Sequence, residues 1–103
     1  MALSLFHHTD AAGEHVLRCR GRLDMSTLAL LRSSVLRHLD AAGADLTIDL
    51  RSIEHLDVAS AVGLAVLTAA FRRRGRTLAV REPLDPEVGR FLDYCGLSSL
   101  LVA

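Results

Sequence analysis

Histidines and cysteines are among the residues of this chain whose side chains could ligate a metal ion or act as nucleophiles. The five histidines are His7, His8, His15, His38 and His55, and the two cysteines are Cys19 and Cys95. No two histidines have the H-x-x-x-H or H-E-x-x-H spacing that places two ligands on one helical face. We therefore expect no metal site and no cofactor.

Motifs for nucleotide binding and for hydrolysis are absent as well. The sequence has no G-x-x-x-x-G-K-[ST] loop for phosphates and no G-x-S-x-G turn that would expose a nucleophilic serine. We expect the protein not to be an enzyme.

The stretch "LDVASAVGLAVLTAAFRRRG", residues 56 to 75, holds the remaining polar side chains of interest. Asp57 is suited to capping a helix N-terminus, and Ser60 could bond a free backbone N–H in the first turn. Three arginines and Gly75 at the other end indicate a helix terminus with cations at the negative end of the dipole. The stretch predicts a helix over residues 58–74.

This predicted helix carries no charge from Val58 to Ala70, so it has no charged side over its first turns. In so short a chain a sheet can cover only one side of it. One interpretation is that the alanines of this helix form a weakly apolar surface that needs no partner. The other is a protein-binding face centred on Ser60, Val62, Gly63 and Val66, which requires a contiguous apolar area in the fold.

The elements around this helix predict an α/β fold. Runs 3–8 and 14–23 indicate a hairpin across which His7 and His15 face each other, and 26–43 has the apolar spacing of a helix, capped by Asp24 or Ser26. Further strands are expected at 45–50, 76–82 and 97–103, and a short helix at 87–96. We predict one domain over residues 1–103, with a mixed four- to five-stranded sheet and helices mainly on one face.

Composition narrows the classes of partner. Twelve arginines balance twelve acidic residues, so the chain offers no overall positive charge for nucleic acid. The cysteines lie far apart and suggest a reduced, cytoplasmic protein. No stretch approaches the roughly 20 apolar residues of a membrane span, so we expect no membrane insertion.

Four segments in order resemble the STAS domain of bacterial anti-sigma-factor antagonists. "IDLRSIEHLD" and the helix after it resemble the family pattern D-L-S-x-V-x-F-I-D-S-S-G-L, and "GRLD" resembles its G-x-L-D. Gly75 stands where the family has a glycine before the fourth strand, and "LDPEVGRFLDYCGL" resembles S-P-x-V-x-R-x-L-x-x-x-G-L. The resemblance covers the chain from about Val16 onward.

The resemblance implies a regulatory protein that binds an anti-sigma factor, itself a GHKL-type kinase, and so releases a sigma factor. In the family, phosphorylation of a Ser or Thr at the start of the second helix ends that partnership, and two acidic residues near it correspond to Asp24 and Asp57. The expected partner-binding residues are Asp24, Met25, Asp57, Val58, Ala59, Ser60, Val62, Gly63 and Val66.

The position of the phosphorylated hydroxyl departs from the family pattern. The ungapped alignment places Ala59 there, which has no hydroxyl, and implies a domain held in its binding-competent state. A one-residue slip makes Ser60 the candidate for phosphorylation, but requires an extra residue between Asp57 and the helix. We favour the ungapped alignment because it fits both flanks.

Two other functions stay open at this point. A STAS-type subunit that binds the ATPase of a lipid transporter would use a similar face, and a small-ligand or nucleotide sensor would need a polar pocket. A homodimer is a further alternative.

Overall fold

The computed structural model describes residues 2–81 and 83–96, and the backbone of residues 101–102. The elements in these ranges are β1 (Leu3–Thr9), β2 (His15–Leu23), α1 (Leu28–Ala42), β3 (Leu46–Leu56), α2 (Val58–Arg73), β4 (Leu78–Arg81), α3 (Pro86–Tyr94) and β5 (Leu101–Val102). They form one sheet in the order β1-β2-β3-β4-β5, antiparallel between β1 and β2 and parallel elsewhere. The predicted mixed α/β sheet is confirmed.

The sheet has one face against the helices and one open face. In β2, Leu17, Cys19 and Leu23 are buried while Arg18 and Arg20 are exposed, as the alternation of the sequence predicts. One apolar core joins the covered face to all three helices; it includes Leu17 and Ile48 from the sheet, Leu31 and Val35 from α1, Leu64 and Phe71 from α2, and Val88 and Leu92 from α3. Helices and sheet therefore share a single hydrophobic core.

Helix α1 begins later than the sequence suggests. Neither Asp24 nor Ser26 caps it, because the carboxylate of Asp24 accepts hydrogen bonds from the backbone and hydroxyl of Ser26 instead. The N-cap residue is Thr27, whose side chain makes no capping bond and donates to the carbonyl of Arg22. Gly43 ends the helix in the left-handed conformation, as expected of a glycine at this position.

Strand β3 is nearly twice as long as the predicted strand at 45–50, since it continues to Leu56. It stays paired with β2 up to Leu23 opposite Leu56, but the register shifts between Arg18 and Arg20 and again between Gly21 and Arg22. Such irregularities interrupt the alternation of buried and exposed side chains, which hid the second half of the strand in the sequence.

The C-terminal elements agree with the sequence in kind. The strand expected at 76–82 is β4, and the helix expected at 87–96 is α3, which Asp85 caps by accepting a bond from the backbone N–H of Glu87. Of the strand predicted at 97–103, residues 101–102 pair with β4 at the edge of the sheet. The rest of that prediction lies outside the described residues.

Three histidines meet where the hairpin packs on α1. His7 and His15 are not cross-strand partners, since His7 pairs with Leu17 and His15 with Thr9. Both instead approach the ring of His38, with ring centroids 6.2 Å and 5.0 Å apart. The Nε2 atom of His38 is buried without a hydrogen-bond partner among the described residues. Within those residues, no three His, Cys, Asp or Glu side chains are arranged to hold a metal ion.

We predict that this cluster makes the protein less stable as the pH falls below about 6.5. Burial lowers the pKa of His7, and the nearby His38, Arg37 and His15 lower it further. Between the lowered pKa and the ordinary one, the unfolded chain therefore binds more protons than the folded chain. The contribution of His7 to stability is complete above the ordinary histidine pKa and is lost as the pH falls towards the lowered pKa. Urea unfolding at pH 7.5 and pH 5.0 measures the loss. His7→Gln is expected to reduce it.

Candidate protein-binding site

The loops after β2 and β3 lie side by side because the two strands are parallel neighbours. Leu23 and Leu56 end their strands in register, so the next residues, Asp24 and Asp57, emerge at the same edge of the sheet. In sheets with parallel strands this edge is where binding sites most often form. The sequence analysis placed both acidic residues at one site, and the structure brings them together there.

Asp57 connects the loop after β2 to the start of α2. Its Oδ1 accepts a 2.9 Å hydrogen bond from the backbone N–H of Ser60, which makes it the N-cap predicted from the sequence. Its Oδ2 accepts a 2.8 Å bond from the backbone N–H of Met25. One carboxylate thus holds two chain segments that are 32 residues apart.

The Asp57 carboxylate remains charged at neutral pH. Partial burial favours its protonated form, but the hydrogen bonds from Ser60 and Met25 outweigh burial and lower its pKa. The negative charge of Asp57 lies at the N-terminus of α2, where the positive end of the helix dipole also stabilises it.

Asp24 organises the neighbouring loop. The hydroxyl of Ser26 donates a 2.6 Å hydrogen bond to Asp24 Oδ1, and the Ser26 backbone N–H donates another. The backbone N–H of Asp24 donates to the hydroxyl of Thr27. The bond from the Ser26 hydroxyl is the main cause of a lowered Asp24 pKa, with Arg22 assisting from 3.7 Å. The loop is therefore an ordered turn with Met25 at its tip.

Four exposed apolar side chains surround the start of α2, and we call them the docking face. They are Met25, Val58, Val62 and Val66, with 75%, 59%, 54% and 57% of their surface exposed. The three valines are spaced by four residues and so lie in one row along the helix. The opposite side of α2 is buried in the core through Leu64, Leu67 and Phe71. The helix is thus covered on one side and leaves an apolar row uncovered.

The other expected partner-binding residues occupy different positions. Ser60 does not lie on the docking face. It is 0% exposed and points into the core, because the helical periodicity that places Val58 and Val62 on the outer side of α2 places Ser60 on the inner side. Ala59 is half-buried. Gly63 lies against α1, where a Cβ atom would come within 2.9 Å of Leu28 Cδ1. Its lack of a side chain lets the two helices approach.

Ser60→Ala is expected to leave the free energy of unfolding unchanged or to raise it by about 1 kcal/mol. The buried hydroxyl has no hydrogen-bond partner among the described residues, so its removal relieves a desolvated polar group. Chemical denaturation of the two proteins measures the difference. Thr68→Ala is the comparison, because the Thr68 hydroxyl donates to the Leu64 carbonyl and its loss should not stabilise. A clear loss of stability in Ser60→Ala would contradict the placement.

Two apolar features of the structure were not predicted from the sequence. A cleft of about 400 Å³ opens between the end of β3 and α3, lined by Glu54, His55, Leu56, Asp57, Val58, Glu87, Val88 and Phe91. Leu30 in the first turn of α1 is half exposed. The exposure of Leu30 could have been predicted, since Leu30 lies off the apolar stripe of α1. The position of Phe91 in the cleft could not, because α3 comes next to the end of β3 only in the folded chain.

No helix in the described part of the chain has both the length and the apolar character needed to cross a membrane.

A family model described as "Mlab, STAS domain" matches residues 7–103. The chain belongs to the STAS domain family. The match begins within β1 and covers the rest of the sheet, all three helices and both loops of the site. The resemblance drawn from the sequence motifs is confirmed at the level of this family.

Solved structures share the fold of this STAS domain. The anti-sigma factor antagonist SpoIIAA in its unphosphorylated form is 10% identical, with a TM-score of 0.67 over 88% of this chain and 83% of that one. An anti-sigma-factor antagonist STAS domain from Rhodobacter sphaeroides is 18% identical, with a TM-score of 0.58 over 98% and 97%. Part of a murine anion transporter, Solute Carrier 26 family member A9, is 12% identical, with a TM-score of 0.64 over 95% of this chain and 19% of the transporter.

No curated protein matches the sequence significantly. The comparisons thus show a STAS domain that resembles anti-sigma factor antagonists in fold.

Proposed function

We propose that this STAS domain is an anti-sigma-factor antagonist that binds an anti-sigma factor of the GHKL kinase class through the docking face, and so releases a sigma factor. The observation that carries the proposal is the row of exposed valines on α2 beside the Met25 loop. The carboxylate of Asp57 joins the start of α2 to this loop by accepting hydrogen bonds from both. Exposed apolar rows with a polar margin are typical of protein interfaces. The structural likeness to SpoIIAA supports the choice of partner.

The second part of the proposal is that phosphorylation does not switch this domain off. Helix α2 begins at Val58 directly after Asp57, without the extra residue that would place Ser60 at the phosphorylated position. Ser60 is fully buried, so a kinase could not reach its hydroxyl without opening the first turn of α2. Both observations favour Ala59 at that position, and Ala59 has no hydroxyl to accept phosphate.

Incubation with the cognate kinase and ATP, followed by mass spectrometry, tests this part. We expect no phosphate on the wild-type protein and phosphate on Ala59→Ser, because Ala59 is partly exposed and a serine there would restore the hydroxyl. A phosphate adds about −1.5 to −2 charge next to the docking face and is expected to abolish binding. Thr68→Ser, on the same helix but away from its start, is the matched control. Phosphate on Ser60 of the wild-type protein would contradict the proposal.

A second candidate is a STAS-type subunit that binds the ATPase of a lipid transporter. The matching family model is described for Mlab and not for antagonists, and a similar fold forms part of an anion transporter. The same apolar row would serve as the interface in this case, so the surface alone does not separate the two partners.

Affinity purification from the native cell separates the candidates. Recovery of a GHKL-type kinase supports the antagonist, and recovery of a transporter ATPase supports the second candidate. Recovery of neither, together with thermal stabilisation by a small molecule, would contradict both and indicate a sensor domain.

A further inference from the structure

The open face of the sheet, opposite the helices, carries a cluster of cationic side chains that the proposed docking does not use. A cleft of about 500 Å³ lies on this face, lined by Phe6, His8, Arg18, Arg20 and Ser52. Phe6 is 52% exposed and stands directly across from Arg18 in the β1–β2 pair. An aromatic side chain between exposed arginines is an arrangement enriched at interfaces.

The open face has a surplus of positive charge although the whole chain is neutral. Asp49 is 1% exposed and is the carboxylate around which three arginines gather: Arg51 at 3.1 Å, Arg81 at 3.6 Å and Arg18 at 3.9 Å. Arg20 forms no ion pair with any described carboxylate. Four guanidinium groups against one carboxylate leave an excess of three positive charges here.

This charge is present at neutral pH. Burial alone would raise the pKa of Asp49, but the bonds and charge of Arg51, with Arg81, lower it, so the carboxylate is ionised. Arg18 is the most weakly held of the three, since its Nε lies farthest from Asp49 and half of its side chain is exposed. Arg18 can therefore turn to an external anion while Arg51 and Arg81 continue to neutralise Asp49.

The geometry of the cleft favours an extended peptide over a small molecule. A site for a small ligand encloses most of that ligand, whereas this cleft lies on an open sheet surface between exposed side chains. Arg18 and Arg20 are two residues apart on the same face of β2, about 7 Å along the strand. Side chains at alternate positions of an extended segment have the same spacing, and carboxylates pair with guanidinium groups through two hydrogen bonds.

We propose that the open face binds an extended acidic segment of a protein partner, whose carboxylates at alternate positions pair with Arg18 and Arg20 while an apolar side chain packs on Phe6. This site lies on the opposite side of the sheet from the docking face, so both can be occupied at once.

Fluorescence anisotropy with a labelled octapeptide of alternating glutamate and leucine tests the proposal. We expect Arg18→Gln/Arg20→Gln to weaken its binding at least tenfold, and Phe6→Ala at least threefold. Arg32→Gln/Arg90→Gln removes two exposed arginines from α1 and α3 and is expected to change binding less than twofold. Arg20→Gln alone, which breaks no ion pair of the described residues, is expected to weaken binding at least threefold and serves if the double variant unfolds.

Several results would overturn the proposal. They are equal binding of a peptide with glutamine in place of glutamate, tighter binding of a single-stranded oligo(dT) of the same length, or self-association of the protein that the double variant abolishes. Val62→Glu, on the docking face, is expected to leave peptide binding unchanged. If it weakens peptide binding as much as the double variant does, the peptide occupies the docking face and the proposal fails, whatever the fate of the anti-sigma-factor assignment.

Discussion

Val62→Glu is expected to weaken binding of the anti-sigma factor at least 100-fold while leaving the domain folded. Val62 is central in the exposed row of α2, with Val58 one turn before it and Val66 one turn after. A glutamate there would be buried without a partner in the complex, and 100-fold corresponds to about 2.7 kcal/mol. In the free domain the side chain would face water on a helix that tolerates glutamate well, so stability should change by about 0.5 kcal/mol or less.

Isothermal titration calorimetry with the purified anti-sigma factor measures this effect, and circular dichroism verifies the fold. Phe6→Glu is the matched control, because Phe6 is 52% exposed but lies on the open face of the sheet, opposite the docking face. We expect it to change affinity less than twofold. Equal weakening by the two variants, or wild-type affinity for Val62→Glu, would show that the valine row is not the interface.

Asp57→Ala is expected to destabilise the domain by about 2 kcal/mol and to lower its melting temperature by about 10 °C. The change removes the N-cap of α2, a loss of about 1 kcal/mol, and also the acceptor of the Met25 backbone N–H. The second loss releases the loop that carries Met25. We therefore expect partner affinity to fall even at temperatures where the variant stays folded.

Thermal and chemical unfolding at pH 7 measure the loss of stability. Asp85→Ala is the control, since the Asp85 carboxylate caps α3 through one bond from Glu87 and accepts no bond from a second segment of the described residues; its effect is expected to be about half as large. The lowered pKa of Asp57 adds a test. The contribution of the Asp57 carboxylate to the free energy of unfolding is present above the ordinary carboxylate pKa and is lost as the pH falls through the lowered pKa. The difference in stability between wild type and Asp57→Ala is therefore expected to shrink in strong acid. A difference that does not depend on pH would contradict the role of the charged carboxylate.

Local patterns were sufficient to predict most of the fold. The hairpin, the three helices and the N-cap Asp57 each depend on residues within one or two turns of one another. The second half of β3 could not be predicted, because two register shifts against β2 remove the alternation that marks a strand. The start of α1 was wrong because Asp24, Ser26 and Thr27 satisfy one another before the helix begins.

The site was predictable only in part. Val62 and Val66 were expected on an exposed face of the helix, but the expected centre of that face also held Ser60, which is buried, and Gly63, which lies against α1. The bond from Met25 to Asp57 joins residues far apart in sequence, and the sequence does not specify it. The charge of the open face was hidden for another reason. A net charge of zero describes the whole chain, and although the alternation in β2 places Arg18 and Arg20 on one face, it does not show that Arg51 and Arg81 gather with Arg18 around Asp49.

The hydrogen bonds of Asp57 have a consequence for how this protein can evolve. Both bonds are donated by backbone N–H groups, so neither depends on which side chain occupies position 59. A single-codon change there can add or remove a hydroxyl without disturbing the helix start or the Met25 loop. In the proposed function, where position 59 is the site of phosphorylation, this one change would add or remove the hydroxyl on which a kinase acts, and both hydrogen bonds of Asp57 would stay in place.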